Sequence, residues 1–353
     1  MKKLICLCTF MLFCLFAGKA ENQKTLSVLQ VNLWHGCSKV PGGDQGVIDL
    51  LDQLNADVIF LCETRRGDDA TLIPKTLKEL EKRGKSYYAE THGLSVCILS
   101  KFKPDSIIKT CIVPGDEGRA MLKMTVNIEG VPFAFYSCHL DYRHYECYLP
   151  RGYSGTTWKK IEKPITDENE VLALNRLSYR DESIKAFIKE AEKDIKRGMT
   201  VIMGGDFNEP SHLDWQANTK DLWDHNGAII NWECSKMLTN AGFKDSYREK
   251  HPDPVTCPGF TFPAGNKKAQ EAKLEILAWA PEVDERDRID FIYYISPDQT
   301  VSLSSSSLVG PSETVIHGEI KANDSKDSII TPACTWPSDH KGNLAIFNIA
   351  GKK

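Results

Sequence analysis

Short apolar runs recur along the chain, at 26–33, 58–62, 94–99, 133–139, 200–203, 289–295 and 344–349. Their length and β-branched content predict buried strands rather than helices. Stretches of helical period lie between them. Residues 45–54 place Val47, Leu50, Leu51 and Leu54 on one face, and 72–83 behave alike. The longest, 168–197, carries Leu172, Leu174, Leu177, Ile184, Phe187, Ile188 and Ile195 on its apolar side. It lacks a sustained heptad, so it reads as a helix packed on a sheet. Buried strands mixed with helices predict an α/β layered sandwich. No linker divides 21–353, which reads as one domain. Two stretches break the periodicity and read as insertions, 141–163 and 256–286, and 302–307 is a serine-rich tract.

The first twenty residues change the picture. Lys2 and Lys3, an apolar run over 4–16, and Ala17-Gly18-Lys19-Ala20 read as an export signal cleaved after Ala20. The run is shorter than the ~20 residues a membrane-spanning helix needs, and no later segment is long and apolar enough to span a bilayer. The expectation is a mature protein that is soluble and periplasmic or extracellular. Its formal charge of −4 becomes −7 once Lys2, Lys3 and Lys19 are removed, which argues against coating a polyanion. Nine of twelve cysteines remain, without a CxxC pair, so neither a disulfide framework nor a zinc site is indicated. Cys62, Cys97 and Cys138 sit in apolar runs as buried thiols. Cys147, Cys234, Cys257 and Cys334 lie in loop-like contexts and are the better disulfide candidates.

Candidate chemistry sits at the ends of the predicted strands. The first run reaches Asn32, the second Glu63, and the fourth His139, with Asp141 two residues later. The fifth continues through Gly204-Gly205 to Asp206 and Asn208. Asp290 begins the sixth, and Ser338-Asp339-His340 precedes the last. Each ending alone is commonly structural, since Asp and Asn close turns by bonding backbone groups. Six endings of oxygen or imidazole type together point to a cation and an anionic substrate.

In that order, Asn32, Glu63, Ser137-x-His139, Gly205-Asp206-x-Asn208, Asp290 and Ser338-Asp339-His340 resemble the endonuclease/exonuclease/phosphatase superfamily. Within it the chain looks most like the secreted bacterial branch without an assigned substrate. The resemblance runs from about Leu26 to Ile349. It implies the deoxyribonuclease I-like fold, a four-layer α/β sandwich of two packed mixed β-sheets flanked by helices. It also implies hydrolysis of a phosphomonoester or phosphodiester. Glu63 and Asn32 would hold Mg²⁺ or Mn²⁺, hard cations that prefer oxygen ligands, with Asp339 adding negative charge. Asp206 would accept the proton of the attacking water or orient it, helped by Asn208. His340, set by Asp290, would bind phosphoryl oxygens as imidazolium, and His139 would contact another.

Many nucleases of this superfamily carry an acidic residue shortly after the first-strand Asn. Leu33-Trp34-His35-Gly36 stands there instead, which puts a second metal in doubt and leaves His35 as a weaker ligand candidate. Arg65 and Arg66 follow Glu63 and are candidates for forking onto a phosphate, the alternative being a solvated loop. Tyr142 and Arg143 open the 141–163 insertion, which either stacks a substrate group or packs on its own tyrosines. Glu209-Pro210-Ser211-His212 continues the Asp206 loop. Trp215, Trp223, Trp232 and Trp336 read as core or pocket walls. The substrate stays open among a phosphorylated small molecule, a lipid head group and nucleic acid. Within enzymes the alternatives are a nuclease, a sphingomyelinase-like phosphodiesterase and a sugar- or inositol-phosphate phosphatase. Outside this chemistry stand a silent binding protein, which should lack Glu63, Asp206 or His340, and a two-carboxylate glycosidase, which leaves the histidines without a task. No stable protein partner is implied, and the chain reads as a monomer.

Overall fold

A computed structural model describes residues 24–93, 95–111, 120–274 and 276–350. The export signal expected at 1–20 lies outside them. The chain begins with β1 (Lys24–Asn32), α1 (Gly43–Leu54), β2 (Val58–Cys62) and α2 (Leu72–Lys82). Five strands follow: β3 (Tyr88–His92), β4 (Val96–Ser100), β5 (Ser106–Cys111), β6 (Ala120–Ile128) and β7 (Val131–His139). Next come α3 (Glu168–Asn175), α4 (Arg180–Lys196), β8 (Thr200–Asp206), α5 (Glu233–Asn240), β9 (Lys244–Asp245), α6 (Ser246–Lys250) and α7 (Lys267–Ala272). The last strands are β10 (Asp290–Ile295), β11 (Val301–Val309), β12 (Thr314–Ile316), β13 (Glu319–Lys321), β14 (Ile329–Ile330) and β15 (Gly342–Ile349).

One sheet runs β14-β11-β15-β1-β2-β4-β3 and a second β5-β6-β7-β8-β10-β9. Both are mixed, because β1 is parallel to β2 and antiparallel to β15, while β8 is parallel to β7 and antiparallel to β10. The two-residue side-chain period of a strand then builds the layers. Leu26, Val28, Val58 and Phe60 of the first sheet meet Phe133, Phe135, Ile202 and Ile292 of the second in the central core. The intervening Leu29, Val31, Ile59 and Leu61 pack outward on α1 and α2 through Val47, Leu50, Leu51 and Leu80. On the far side Tyr136, Val201 and Met203 meet Ile184 and Phe187 of α4 and Leu238 of α5. Helices, sheet, sheet and helices make four layers, as the resemblance implies.

Gly204 and Gly205 lie inside β8 rather than in a turn. A Cβ on Gly204 would stand 2.5 Å from the Phe60 ring, and one on Gly205 would stand 1.9 Å from the Cys138 carbonyl oxygen. Gly204 thus leaves room for the facing sheet at Phe60, and Gly205 for the neighbouring strand β7 of its own sheet.

Several expectations need correction. The single helix over 168–197 is two helices; Leu174 near the end of the first and Leu177 between them are 37% and 58% exposed. The break has a physical cause. Ser178 Oγ donates to Asn175 O, and the buried Arg180 side chain turns inward to backbone carbonyls of another segment. The serine-rich 302–307 tract belongs to β11, where small hydroxyls fit a strand paired with β15. Cys147, Cys234, Cys257 and Cys334 are all free thiols, and the first two are buried in apolar clusters, where cysteine acts as a small hydrophobe.

Candidate active site

The alternation that fills the core also makes the site. On β1 the inward positions run Leu26, Val28, Gln30, Asn32, and on β2 Val58, Phe60, Cys62. On β7 they run Phe133, Phe135, Ser137, His139, and on β8 Ile202, Gly204, Asp206. The inner face is therefore apolar in the middle and polar at one end. Register aligns those ends: Asn32 is opposite Cys62, His139 opposite Asp206, and Asp290 opposite Asp206. Glu63 follows β2 at φ 51 and Asn208 follows β8 at φ 49, both in the left-handed region that non-glycine residues seldom occupy. Such outliers cluster at functional sites.

Asn32 bridges the sheets. Its Nδ2 donates to Glu63 Oε1 at 3.0 Å and to Asp206 Oδ2 at 2.9 Å, while its Oδ1 accepts from Trp34 N at 2.9 Å. Asp206 Oδ1 accepts from Asn208 N at 2.8 Å. His139 Nε2 stands 3.7 Å and His340 Nε2 3.9 Å from Asp206 Oδ2. His340 Nδ1 lies 2.8 Å from Asp290 Oδ2, and Phe262 packs on its ring at 5.0 Å between centroids. Ser95 Oγ bonds His139 Nδ1. Asp339 Oδ1 is 3.8 Å from His340 Nε2, buried, and has no hydrogen-bond partner.

Four carboxylates thus crowd two imidazoles. Burial, with Asp290, pushes the Asp206 carboxyl up to about 6 against the pull of His340 and His139. Burial, aided by Glu63 and Asp206, pushes Asp339 up to about 7 against His340. For Glu63 burial also pushes upward, but His139, His35 and the Asn32 amide outweigh it and hold the carboxyl below its ordinary value. Burial disfavours a charged His340, yet Asp290, Asp339 and Asp206 prevail and keep it protonated well above its ordinary range. The donor set fits a hard divalent cation. Glu63, His139 and Asp206 offer ligand atoms within 4.8 Å of one another, and the buried Asp339 Oδ1 has no hydrogen-bond partner.

The structure gathers Asn32, Glu63, His139, Asp206, Asn208, Asp290, Asp339 and His340, although the Asn208 amide is engaged by Leu140 O at 3.1 Å. The phosphate-forking arginines are not gathered. Arg66 is bound by Asp44 of α1 and donates to Gly36 O, while Arg65 Nη2 caps its own loop at Asp68 O. Arg143 lies along Asp141, with Nε 2.9 Å from Oδ1. His35 has a mixed position: its N–H donates to Glu63 Oε2 at 2.7 Å, but its ring is mostly in solvent. The insertion at 141–163 packs on its own aromatics, with Tyr145, Tyr148, Tyr153 and Trp158 joined to Trp215 and Trp232, and Arg151 buried against Asp287. Tyr142 alone of its aromatics stands in solvent.

Sequence reasoning missed Gln30. Its Nε2 donates to Asp290 Oδ1 at 2.7 Å and its Oε1 accepts from Asn343, so Asp290 is held from behind. One signal was available: a glutamine inside an apolar strand, two residues before Asn32. The 256–286 insertion was missed as a wall of the site. Thr261 Oγ1 accepts from Asp290 N at 3.2 Å, Ala264 N donates to Asp339 O at 2.6 Å, and Asn266 donates to Ser338 O at 2.8 Å. A wider depression of about 620 Å³ along Asn266–Lys268 and Pro332–Trp336 lies apart from this cluster.

The sequence model of the Endonuclease/Exonuclease/phosphatase family matches residues 29–340. An uncharacterized Caenorhabditis elegans protein, F14F9.5, is 26% identical over 287 residues, 80% of this chain and 83% of that one. Truncated C. elegans TDP2 has a similar structure, with a TM-score of 0.52 at 17% identity over 92% of this chain and 97% of its own. The endonuclease/exonuclease/phosphatase from Beutenbergia cavernae gives 0.52 at 13% identity, over 93% and 72%. D. rerio TDP2 complexed with single strand DNA product gives 0.50 at 19% identity, over 92% and 99%. At such identities the structural likeness bears on fold alone.

Proposed function

Because the chain belongs to the endonuclease/exonuclease/phosphatase family and has its deoxyribonuclease I-like sandwich, we propose that it is a metal-dependent hydrolase of phosphoesters. One observation carries the reading: Asp206 Oδ2 is met by the Asn32 amide at 2.9 Å and faces His139 and His340 at 3.7 and 3.9 Å. The two histidine distances are too long for direct hydrogen bonds, and an oxygen lying to one side of the line can bond the carboxylate and an imidazole together.

Asn32 and Glu63, with Asp339 nearby, are the residues that would hold Mg²⁺ or Mn²⁺. Such an ion supplies Lewis-acid charge to the phosphoryl oxygens. Asp206, oriented by Asn32 and Asn208, takes the proton of the attacking water as the new P–O bond forms and the ester P–O bond breaks. A carboxyl raised to about 6 suits a base working near neutral pH. His340, held by Asp290, presents Nε2 with its proton to the phosphoryl oxygens, where negative charge grows in the transition state. His139 serves a second oxygen. Gln30 keeps Asp290 turned to His340.

Asp206→Asn and His340→Ala each lower kcat/KM by about a hundredfold or more while the protein stays folded. The check is a panel of phosphomonoesters and phosphodiesters with circular dichroism of each variant. Either variant keeping over about a tenth of the wild-type rate contradicts these roles. The acidic net charge of −4 weighs against a polyanion-coating nuclease. We also infer export from the Lys2–Ala20 signal, tested by whether the secreted protein begins at Glu21.

A further inference from the structure

The two most exposed large hydrophobic side chains among the described residues, Tyr142 (62%) and Leu177 (58%), share one frame beside the catalytic edge. Tyr142 lies three residues beyond His139. The segment is tied to the Asp206 loop, since Leu140 N donates to Asp206 O at 2.9 Å and Asn208 Nδ2 to Leu140 O at 3.1 Å. The wholly buried Arg180 donates to the carbonyls of Asp141 at 2.6 Å, Arg143 at 2.8 Å and His144 at 2.6 Å, gripping the backbone on both sides of Tyr142. Asp141 accepts from Tyr179 N at 3.2 Å, which joins the α3–α4 connection and its Leu177 to the same loop. Burying a guanidinium is costly unless its donors are matched. Here Nη1 and Nη2 are matched by those carbonyls and by Asn175 Oδ1, with Nε 3.6 Å from Glu209 Oε2, and they fix a loop whose most prominent side chain points into water. The exposure of that ring is held in place by the fold.

We propose that Tyr142 is a specificity-determining residue: a fixed stacking face for a planar ring on the group esterified to the phosphate, flanked by Leu177. This rests on the preceding placement of the phosphate at Asp206 and His340. A tyrosine offers a large, stiff, flat contact with little side-chain entropy to lose. A lone ring beside a strand end matches a flat partner better than an acyl chain, which needs a continuous apolar trough. A nucleobase and a phenolic ring share this chemistry.

The test measures binding by calorimetry in a turnover-silent His340→Ala background with Mg²⁺. The probes are a nucleoside monophosphate, phenyl phosphate and glycerol phosphate. The ring-bearing esters bind tighter than glycerol phosphate, and that preference falls about tenfold in Tyr142→Ala and Tyr142→Leu while Tyr142→Phe retains it. The larger preference of the two ring probes identifies base or phenol. A preference unmoved by Tyr142→Ala, or kept by Tyr142→Leu, overturns the stacking face; the second result means a merely apolar contact. Turnover in the wild type is read separately. Absence of any phosphoester turnover sinks the proposed function and leaves the binding preference readable. Normal turnover with a preference independent of Tyr142 sinks only this inference.

Discussion

Two buried polar clusters adjoin along the chain, one ending at Arg288 and the other beginning at Asp290, and their charge balance is opposite. In the first, Arg151 pairs with Asp287 at 2.6 Å, Arg286 with Asp284 at 2.7 Å, and Arg248 with Asp214 at 2.6 Å. Arg288 reaches Asp214 at 2.9 Å and Asp245 at 2.7 Å. Four guanidiniums answer Asp214, Asp245, Asp284 and Asp287. In the second, Glu63, Asp206, Asp290 and Asp339 face the imidazoles of His139 and His340, with the exposed His35 beside Glu63 and no guanidinium paired to them among the described residues, and Asp206 and Asp339 are pushed up to about 6 and 7. A balanced cluster locks geometry. An unbalanced one leaves an excess of carboxylates that fits a divalent cation.

The comparison breaks most visibly at Arg288. Arg288→Met leaves Asp245 without its cation and Asp214 with Arg248 alone, and removing one partner of a buried pair costs about 3–5 kcal/mol. Urea unfolding should show that loss; a variant as stable as wild type means the pairs are not what holds this region. A smaller effect belongs to Glu285, which lies among the paired residues without a cation of its own. Burial raises its carboxyl from 4.5 to about 7, against bonds from Ala280 N, Tyr148 OH and Trp279 N. Since the folded-state value is the higher one, its contribution is complete below about pH 4.5 and is lost as pH rises through about 7. Between pH 5 and 8 the wild type therefore loses up to about 3 kcal/mol that Glu285→Gln does not. Parallel pH–stability curves for the two proteins contradict this. A third effect sharpens the other side. In chelator at pH 8, Asp339→Asn melts above wild type, because an amide carries none of the charge that burial and Glu63 disfavour there. A lower melting point there means the carboxylates are not in excess.

What the sequence revealed follows from these two chemistries. The polar edge of the candidate site was legible because its residues interrupt apolar runs at their ends, where a polar side chain cannot be filling the core. Gln30 was not, because one amide within a run looks like tolerance rather than design; only the coordinates show that it grips Asp290. The run Glu285-Arg286-Asp287-Arg288 carries four charged side chains in a row, yet all four are buried, because distant residues satisfy them: Tyr148 holds Glu285, Asp324 holds Arg286, Arg151 holds Asp287 and Asp214 holds Arg288, and pattern cannot reveal those. The 168–197 period matched one helix because the sequence gives no sign that Arg180 is drawn inward by the carbonyls of 141–144. Arg65 and Arg66 beside Glu63 suggested phosphate binding by adjacency alone, and Asp44 takes Arg66 instead.

The central claim is that the catalytic cluster, unlike its balanced neighbour, takes up a divalent cation through Glu63. Titrating Mn²⁺ into metal-free wild type and into Glu63→Gln by calorimetry tests it most directly. The expected result is a saturable binding event in the wild type that is absent or weakened at least about tenfold in the variant. Equal binding in both proteins contradicts it.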